Sequence, residues 1–340
     1  MQFPEDPGGR LEFLQSIASG VGLDRLGVAT VEPFEAVRAD IEERKAEGLH
    51  GGLTFTYNQP ERSTDVRASL PWAQRLVVAG RAYLPEAGTS SESVPGTGRI
   101  ARFSVEDSYA PLRAGLEVVA GHLSDAGFRA ELLIDDNRLV DRAAAVRAGV
   151  GWWGKNTMVL APGQGPWMLL GSIATDADVS PTPPMQRDCG TCSACLPACP
   201  TGALIAPGVL DARRCLAAIA QLPGSIPEEL REPMGDRIYG CDDCLDACPP
   251  GVRLADAAVS PRGRVDLRWL LEASDDEVLA EFSRFYLPRR KPTVLRRNAL
   301  VAAGNSGLPG LAGAVGAYLS SDDPVLAEHA RWALDRMGGT

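Results

Sequence analysis

Along the first 180 positions the spacing of apolar residues changes period several times, and each change marks an element. Residues 11–20 and 33–47 carry apolar side chains at helical spacing. RLGVAT at 25–30 reads as a strand, and RLVVAGRAY at 75–83, a continuous apolar run between Pro71 and Pro85, as a buried strand. A Ser/Gly loop, GTSSESVPGTG at 88–98, leads into a helical period over 109–126. AELLI at 130–134 reads as a strand ending at Asp135, 139–148 as a helix closed by Gly149, and 157–160 and 168–174 as two further strands. This order predicts an α/β (α+β) front part.

The pattern then stops. DVSPTPPMQR at 178–187 is proline-rich and has no period, which marks a boundary. A cysteine-bearing segment follows to about residue 255. Helical spacing returns over 294–303, 308–319 and 324–337, separated by GNSG and SSDD, as in a small bundle or a helical-repeat fragment. The expected divisions are 1–180, 181–258 and 259–340.

A chain of 340 residues has room for two or three such parts. Its 34 basic and 44 acidic side chains leave a net charge of -10, which argues against binding polyanions over the whole surface. One run departs from that balance: RFYLPRRKPTVLRR at 284–297 has six basic residues and no acidic one. Arg289, Arg290, Lys291, Arg296 and Arg297 are candidate contacts to nucleic-acid phosphates, with Phe285 or Tyr286 available to stack on a base. The plainer reading is a solvated basic loop leading into a helix. The opening MQFPEDPGGRLEFLQS lacks the features of a secretory signal, and no window approaches a membrane span. A cytoplasmic protein with no membrane partner is expected. In that compartment thiols stay reduced, so the eight cysteines point to metal ligation more than to disulfides.

Seven of those cysteines fall in two runs. CGTCSACLPACP at 189–200 fits C-x2-C-x2-C-x3-C-P, in which three thiolates wrap one 4Fe-4S cube and the fourth reaches a second. CDDCLDACP at 241–249 is one cysteine short, and Cys215 supplies the missing thiolate. The count closes with Cys189, Cys192, Cys195 and Cys248 on one cluster and Cys199, Cys215, Cys241 and Cys244 on the other. A pair of zinc sites would also use C-x2-C, but it explains neither C-x2-C-x2-C nor the prolines at 200 and 249.

Two clusters alone would make an electron carrier, which needs only a small domain. The long front part points to an enzyme with its redox partner built in. A nicotinamide fingerprint is missing. GTGRIA at 96–101 stops short of G-x-G-x-x-G, and GVGWWG at 149–154 has the spacing but follows a helix and precedes a strand, the reverse of the required order.

LLIDDNRLVDRAAAVRAGVGWWGKNTMVL at 132–160, the double cysteine run with its intervening cysteine, and RRNALVAAGNSG at 296–307 together resemble the epoxyqueuosine reductase family. The likeness extends to GLDRLGVATVEPF at 22–34 and to the arginine of QPERSTD at 59–65. It implies a cobalamin-binding front domain like that of reductive dehalogenases, a ferredoxin-like module with two 4Fe-4S clusters, and a C-terminal helical-repeat (HEAT-like) domain that helps hold tRNA. The implied reaction reduces an epoxide on the modified base to an alkene with loss of water. The implied partners are tRNA with a GUN anticodon and an external low-potential electron donor. One chain is expected to be the working unit.

The resemblance also implies roles for single residues. Asp135 matches the family's proton donor, and a carboxyl beside an apolar corrin would hold its proton more tightly than one in water. As a simpler role, Asp135 could cap a helix, as could Asp136 or Asn137. Arg62 matches an arginine near the cobalamin, and Thr157 and Val159, after Lys155 and Asn156, are candidate contacts to it. Asp242, between two ligand cysteines, could face the corrin or cap the following turn. His50, His122 and His329 are scattered and read as structural or surface groups rather than cobalt ligands.

Three stretches depart from the family pattern. CLAAIAQLPG puts Ala217, Ala218 and Ala220 where polar or aromatic residues are usual after the lone cysteine. Asp107-Ser108-Tyr109 stands for Asp-Tyr-His, and Pro250-Gly251 for a tryptophan-asparagine pair. The alternative function is a corrinoid iron-sulfur protein acting on a small molecule or passing electrons onward, with the C-terminal helices as a docking surface.

Overall fold

A computed structural model describes residues 3–83, 94–251 and 263–338. The start of the expected Ser/Gly loop at 88–93 and the expected boundary at 258 lie outside the described residues.

The chain opens with α1 (Pro7–Gly20), whose first turn is closed by the Asp6 carboxylate accepting from the N–H of Gly9 at 2.7 Å. β1 (Arg25–Thr30), α2 (Glu35–Ala46), the short α3 (Pro60–Ser63), β2 (Arg75–Ala82) and β3 (Thr97–Ile100) follow. Next come α4 (Tyr109–Asp125), β4 (Ala130–Leu133), α5 (Asp141–Arg147), β5 (Trp152–Trp153), β6 (Val159–Leu160) and β7 (Met168–Thr175). The main sheet has the order β1-β2-β7-β4, and every pairing in it is antiparallel. Because side chains alternate across a strand, β2 sends Val77 and Ala79 to one face, against α1 and α4, and Leu76 and Val78 to the other, against α5. Burial on both faces is why the β2 sequence is apolar throughout rather than alternating.

The cysteine segment consists of short pieces: α6 (Cys195–Ala198), β8 (Leu204–Ala206), β9 (Val209–Leu210), α7 (Leu216–Ile219), α8 (Glu228–Met234), β10 (Arg237–Tyr239) and α9 (Asp243–Asp246). β11 (Arg264–Asp266), α10 (Leu267–Glu272), α11 (Asp275–Glu281), α12 (Thr293–Ser306), α13 (Ala312–Gly316) and α14 (Pro324–Gly338) complete it. α11 begins with a reciprocal Ser274 and Glu277 capping box.

A three-stranded sheet, β10-β3-β11, takes one strand from each of the three expected parts of the chain. Its central strand is the GTGRIA stretch, which the hydrophobic pattern did not mark as a strand. Gly98 lies in it because a Cβ there would stand 2.4 Å from Cγ1 of Ile238 on the neighbouring strand. The expected strand at 157–160 shrinks to Val159–Leu160, since Thr157 sits at φ 68 in the turn that folds β6 back onto β5. The helix expected from 139 begins only at Asp141, because Val140 is still extended.

Candidate functional site

All eight cysteines are unpaired thiols. Short turns position them: Cys195 begins α6, Cys199 ends it, Cys215 precedes α7, and Cys241 and Cys244 flank the start of α9. Their side chains gather in two fours. The Cys248 thiol is pushed up to about 12, first by burial and then by neighbouring Cys189, Cys195 and Cys192. Cys244 is driven up by burial and by Cys241, Cys215 and Cys199. Thiols packed this way resist ionising on their own, and a cluster with an iron for each thiolate fits such a donor set.

GKN at 154–156 ties the two runs to the front part. Lys155 Nζ donates to the carbonyls of Gly190 and Cys192, each at 2.7 Å, and Asn156 Nδ2 donates to the carbonyl of Cys244 at 3.5 Å. Beyond the last cysteine, Trp167 Nε1 donates to the Gly251 carbonyl at 3.2 Å. A Cβ on Gly251 would stand 2.5 Å from that nitrogen, so an indole from the front part packs where Pro250-Gly251 carries no aromatic side chain.

Beside the second run opens a cavity of about 370 Å³. Its walls are mixed: Met158 and Val159 at β6, Met168 and Leu170 of β7, and the rings of Tyr83 and Phe103 are apolar, whereas Asp135, Asp141 and Arg142 are charged or titratable. The β6 and β7 side suits the apolar face of a flat macrocycle. Asp135 stands at the mouth, in the left-handed backbone region (φ 50) that aspartate tolerates better than most residues. Partial burial pushes its carboxyl up, and the charge of Asp136 adds to that. Asp136 itself is held below the usual range by its bond to Arg138. Tyr109 lines the same space, with its hydroxyl driven up by burial and by Asp135.

Of the expected contacts, Asp135 and Val159 share this cavity, whereas Thr157 is not among its lining residues. Arg62 lines a separate open pocket beside Arg138 and donates from Nε to Ser69 Oγ at 3.0 Å. Asp242 occupies the N-cap position of α9 without capping it. Its carboxylate turns instead to the backbone N–H of Arg102 at 2.8 Å, with the Arg102 guanidinium 3.8 Å away. Burial pushes Asp242 up to about 6 despite that partner, and its charge is felt by Tyr83 on the cavity wall.

The basic run divides. Arg289, Arg290 and Lys291 are exposed, the first two at φ 55 and 54. Arg297 corrects the expectation: it is 1% exposed, with Nη1 donating to the carbonyls of Leu222 and Gly224 and Nη2 to that of Ile219, each at 2.7 Å. A phosphate cannot reach it. Arg296 is half-buried, bonded to the Ala273 carbonyl and paired with Asp275 at 2.7 Å. Phe285 is likewise unavailable for stacking on a base, since it is buried against Tyr239 and Phe282, while Tyr286 is 72% exposed.

Sequence reasoning passed over Tyr83, Arg142 and Asp141, which also line the cavity. Tyr83 comes from the end of β2 and the other two from the start of α5, and no local spacing links the two places. The three histidines lie apart: His50 is beside Tyr57, His122 is edge-on to Phe13, and His329 is fully buried.

Among the described residues, no helix is long and apolar enough to cross a membrane. Residues 188–251 match the 4Fe-4S double cluster binding domain. Over 335 residues the chain is 32% identical to an epoxyqueuosine reductase of Bacillus cereus, covering 94% of this chain and 87% of that one. It superposes with a TM-score of 0.87, at 29% identity, on an epoxyqueuosine reductase solved with a tRNA-Tyr epoxyqueuosine-modified tRNA stem loop, over 96% of this chain and 90% of that one. A catabolic reductive dehalogenase solved with 3-bromo-4-hydroxybenzoic acid shares the fold at a TM-score of 0.51 and 19% identity, over 76% of this chain and 35% of that one.

Proposed function

The chain belongs to the epoxyqueuosine reductase family, and on that premise we propose that it reduces epoxyqueuosine in tRNA to queuosine, with two 4Fe-4S clusters, cobalamin and Asp135 as proton donor. The observation that carries this reading is the placement of Asp135 on a cavity whose Tyr83 side lies near Asp242 and Cys244 of the second cysteine run. When bound, the clusters supply single electrons and cobalamin a strongly reducing cobalt centre.

The rest falls to this chain's side chains. Cys189, Cys192, Cys195 and Cys248 hold one cluster, and Cys199, Cys215, Cys241 and Cys244 the other, with Lys155 and Asn156 fixing the loops between them. Met158 and Val159 would offer the corrin an apolar surface, Asp242 would act on it from behind Tyr83, and Thr157 and Arg62, which lie outside that cavity, would reach it only from neighbouring turns. The epoxide takes up two electrons and two protons, both C–O bonds break, a C=C bond forms and the oxygen leaves as water. Asp135 brings a proton to that oxygen, since its partly desolvated carboxyl holds a proton more readily than one in water.

In this reading residues 1–180 form the cobalamin-binding catalytic domain, 181–258 a ferredoxin-like module and 259–340 a HEAT-like platform for a tRNA with a GUN anticodon. An external low-potential donor reloads the clusters, and one chain suffices.

The test is anaerobic reconstitution with iron, sulfide and cobalamin, followed by an assay of queuosine in tRNA from cells lacking the native enzyme. The loaded protein is expected to bind about eight irons and to form queuosine. Asp135→Asn is expected to keep both cofactors and lose roughly 10²- to 10⁴-fold in turnover. No queuosine from fully loaded protein would overturn the assignment.

A further inference from the structure

Two carboxyls face the cavity, and the reaction as described uses one. Asp141, the first residue of α5, lines the same space as Asp135. Its Oδ1 is shut off from solvent and accepts no hydrogen bond. Arg138, close in sequence to Asp135, is committed to Asp136 at 2.6 Å and to Glu131 at 2.5 Å, which leaves Arg142 as the arginine that lines the cavity and acts on Asp141.

The charged and titratable groups around Asp141 are few. Asp135 and Asp136 lie before it in the chain, Arg142 follows it with an exposed side chain, Tyr109 faces it from α4, and Tyr239 of β10 faces Asp135. Both tyrosines are driven up by burial and stay neutral near pH 7. Arg142 pulls Asp141 toward the charged form, as does its place in the first turn of a helix, but loss of solvent opposes both and is the larger effect. Asp141 is pushed well above the carboxylate range by burial first and then by the charge of Asp135. Asp135, exposed at the mouth, responds to burial and to Asp136. Asp135 therefore ionises first, and its charge then holds the proton on Asp141.

We propose that Asp141 is the proton store of this cavity, handing its carboxyl proton to Asp135 for delivery to the departing oxygen. The inference rests on the reading of Asp135 as donor. Reduction of the epoxide consumes two protons, and at rest the pair carries one, on Asp141. Asp135, a carboxylate, takes that proton and passes it to the departing oxygen, which as an alkoxide is the stronger base. Solvent at the mouth supplies the second proton through Asp135, the oxygen leaves as water, and solvent then recharges Asp141.

Two measurements on anaerobically loaded protein test this. In the infrared at pH 7, without substrate, the wild-type spectrum is expected to contain one protonated-carboxyl band that Asp141→Asn lacks. Asp135→Asn is expected to keep that band and to titrate it at lower pH than wild type, because the neighbouring charge is gone. In turnover, the ratio of the rate at pH 5 to that at pH 8 is expected to rise roughly tenfold or more in Asp141→Asn, where Asp135 must protonate itself, and to return to the wild-type value in Asp141→Glu. A variant that is merely misshapen would lose rate equally at both pH values. Equal loss, or an unchanged band in Asp141→Asn, would overturn the proposal. If Asp141→Asn fails to hold iron, the titration of Asp135→Asn decides alone, and no protonated band there at pH 7 would sink the idea. Full turnover in Asp135→Asn would instead remove Asp135 as donor, and the infrared difference would still show where the proton resides.

Discussion

The cysteine segment and the C-terminal helices both turn polar groups inward, but toward different partners. In the first, eight thiols gather in two fours, and what satisfies them is a metal cluster brought from outside. In the second, buried side chains of α12 and α14 satisfy backbone groups of the first. Arg297 holds the carbonyls of Ile219, Leu222 and Gly224, and Asn298 holds those of Ala220 and Ile238 at 2.9 and 2.8 Å. Asn305 holds those of Arg231 and Gly235, and His329 accepts from the N–H of Ile226. All of these lie between Cys215 and Cys241, in the connection that joins two ligands of the second cluster. The helices thus brace a connection whose own elements, α7, α8 and β10, are short.

That difference can be broken most sharply at Asn298. Removing its side chain in Asn298→Ala leaves two buried carbonyls without a donor and the Arg297 guanidinium without the Asn298 Oδ1. A loss of about 4 kcal/mol is expected. It should be accompanied by preferential loss of the second cluster, read as iron per chain falling toward about four. Unchanged stability and iron content would show that the helices do not brace the loop.

The same comparison explains what the sequence could and could not tell. Cysteine spacing is local chemistry, so the double 4Fe-4S segment was legible from its two runs, as was the buried strand β2 from its unbroken apolar run. Arg297 and Arg290 carry the same charge seven residues apart and have opposite surroundings, because α12 turns one side chain into the carbonyls of residues 219–224 and the loop before it leaves the other in water. Charge in a sequence has no direction until the helix has a face. GTGRIA hid a strand because its glycine answers Ile238, 140 positions on. Asp141 was hidden because its significance comes from a cavity whose walls are drawn from several separate stretches of chain.

His329 sharpens the comparison through pH. Its Nδ1 lies 2.7 Å from the Val325 carbonyl and its Nε2 accepts from Ile226, so the ring is neutral with its hydrogen on Nδ1. Burial lowers its pKa to about 4, with Arg231 and Arg297 acting in the same direction and Glu328 against them. A folded pKa below the unfolded one means full stability above about pH 6.5, lost as pH falls toward 4, by about 3 kcal/mol across that window. Denaturant unfolding of wild type against His329→Gln should show this loss in the wild type and its absence in the variant. Parallel curves would mean that the ring is not neutral in the fold.

The smallest effect is expected at the exposed end of the same segment. Arg289, Arg290 and Lys291 have no structural work comparable to that of Arg297, and the left-handed backbone at 289 and 290 turns the strip outward beside Tyr286. If the strip meets tRNA phosphates, replacing all three by alanine should leave stability and iron content alone. It should lower tRNA affinity roughly tenfold near physiological salt and flatten the slope of log affinity against log salt by about two to three units, one counterion set for each lost contact. Arg296→Ala should leave that slope unchanged, because its guanidinium is already spent on Ala273 and Asp275. Tyr286→Ala should weaken binding by a similar amount without moving the slope, since stacking on a base releases no ions. A triple variant with the wild-type slope would place the RNA on another face and leave only the inward-facing polar groups of this segment with an assigned role.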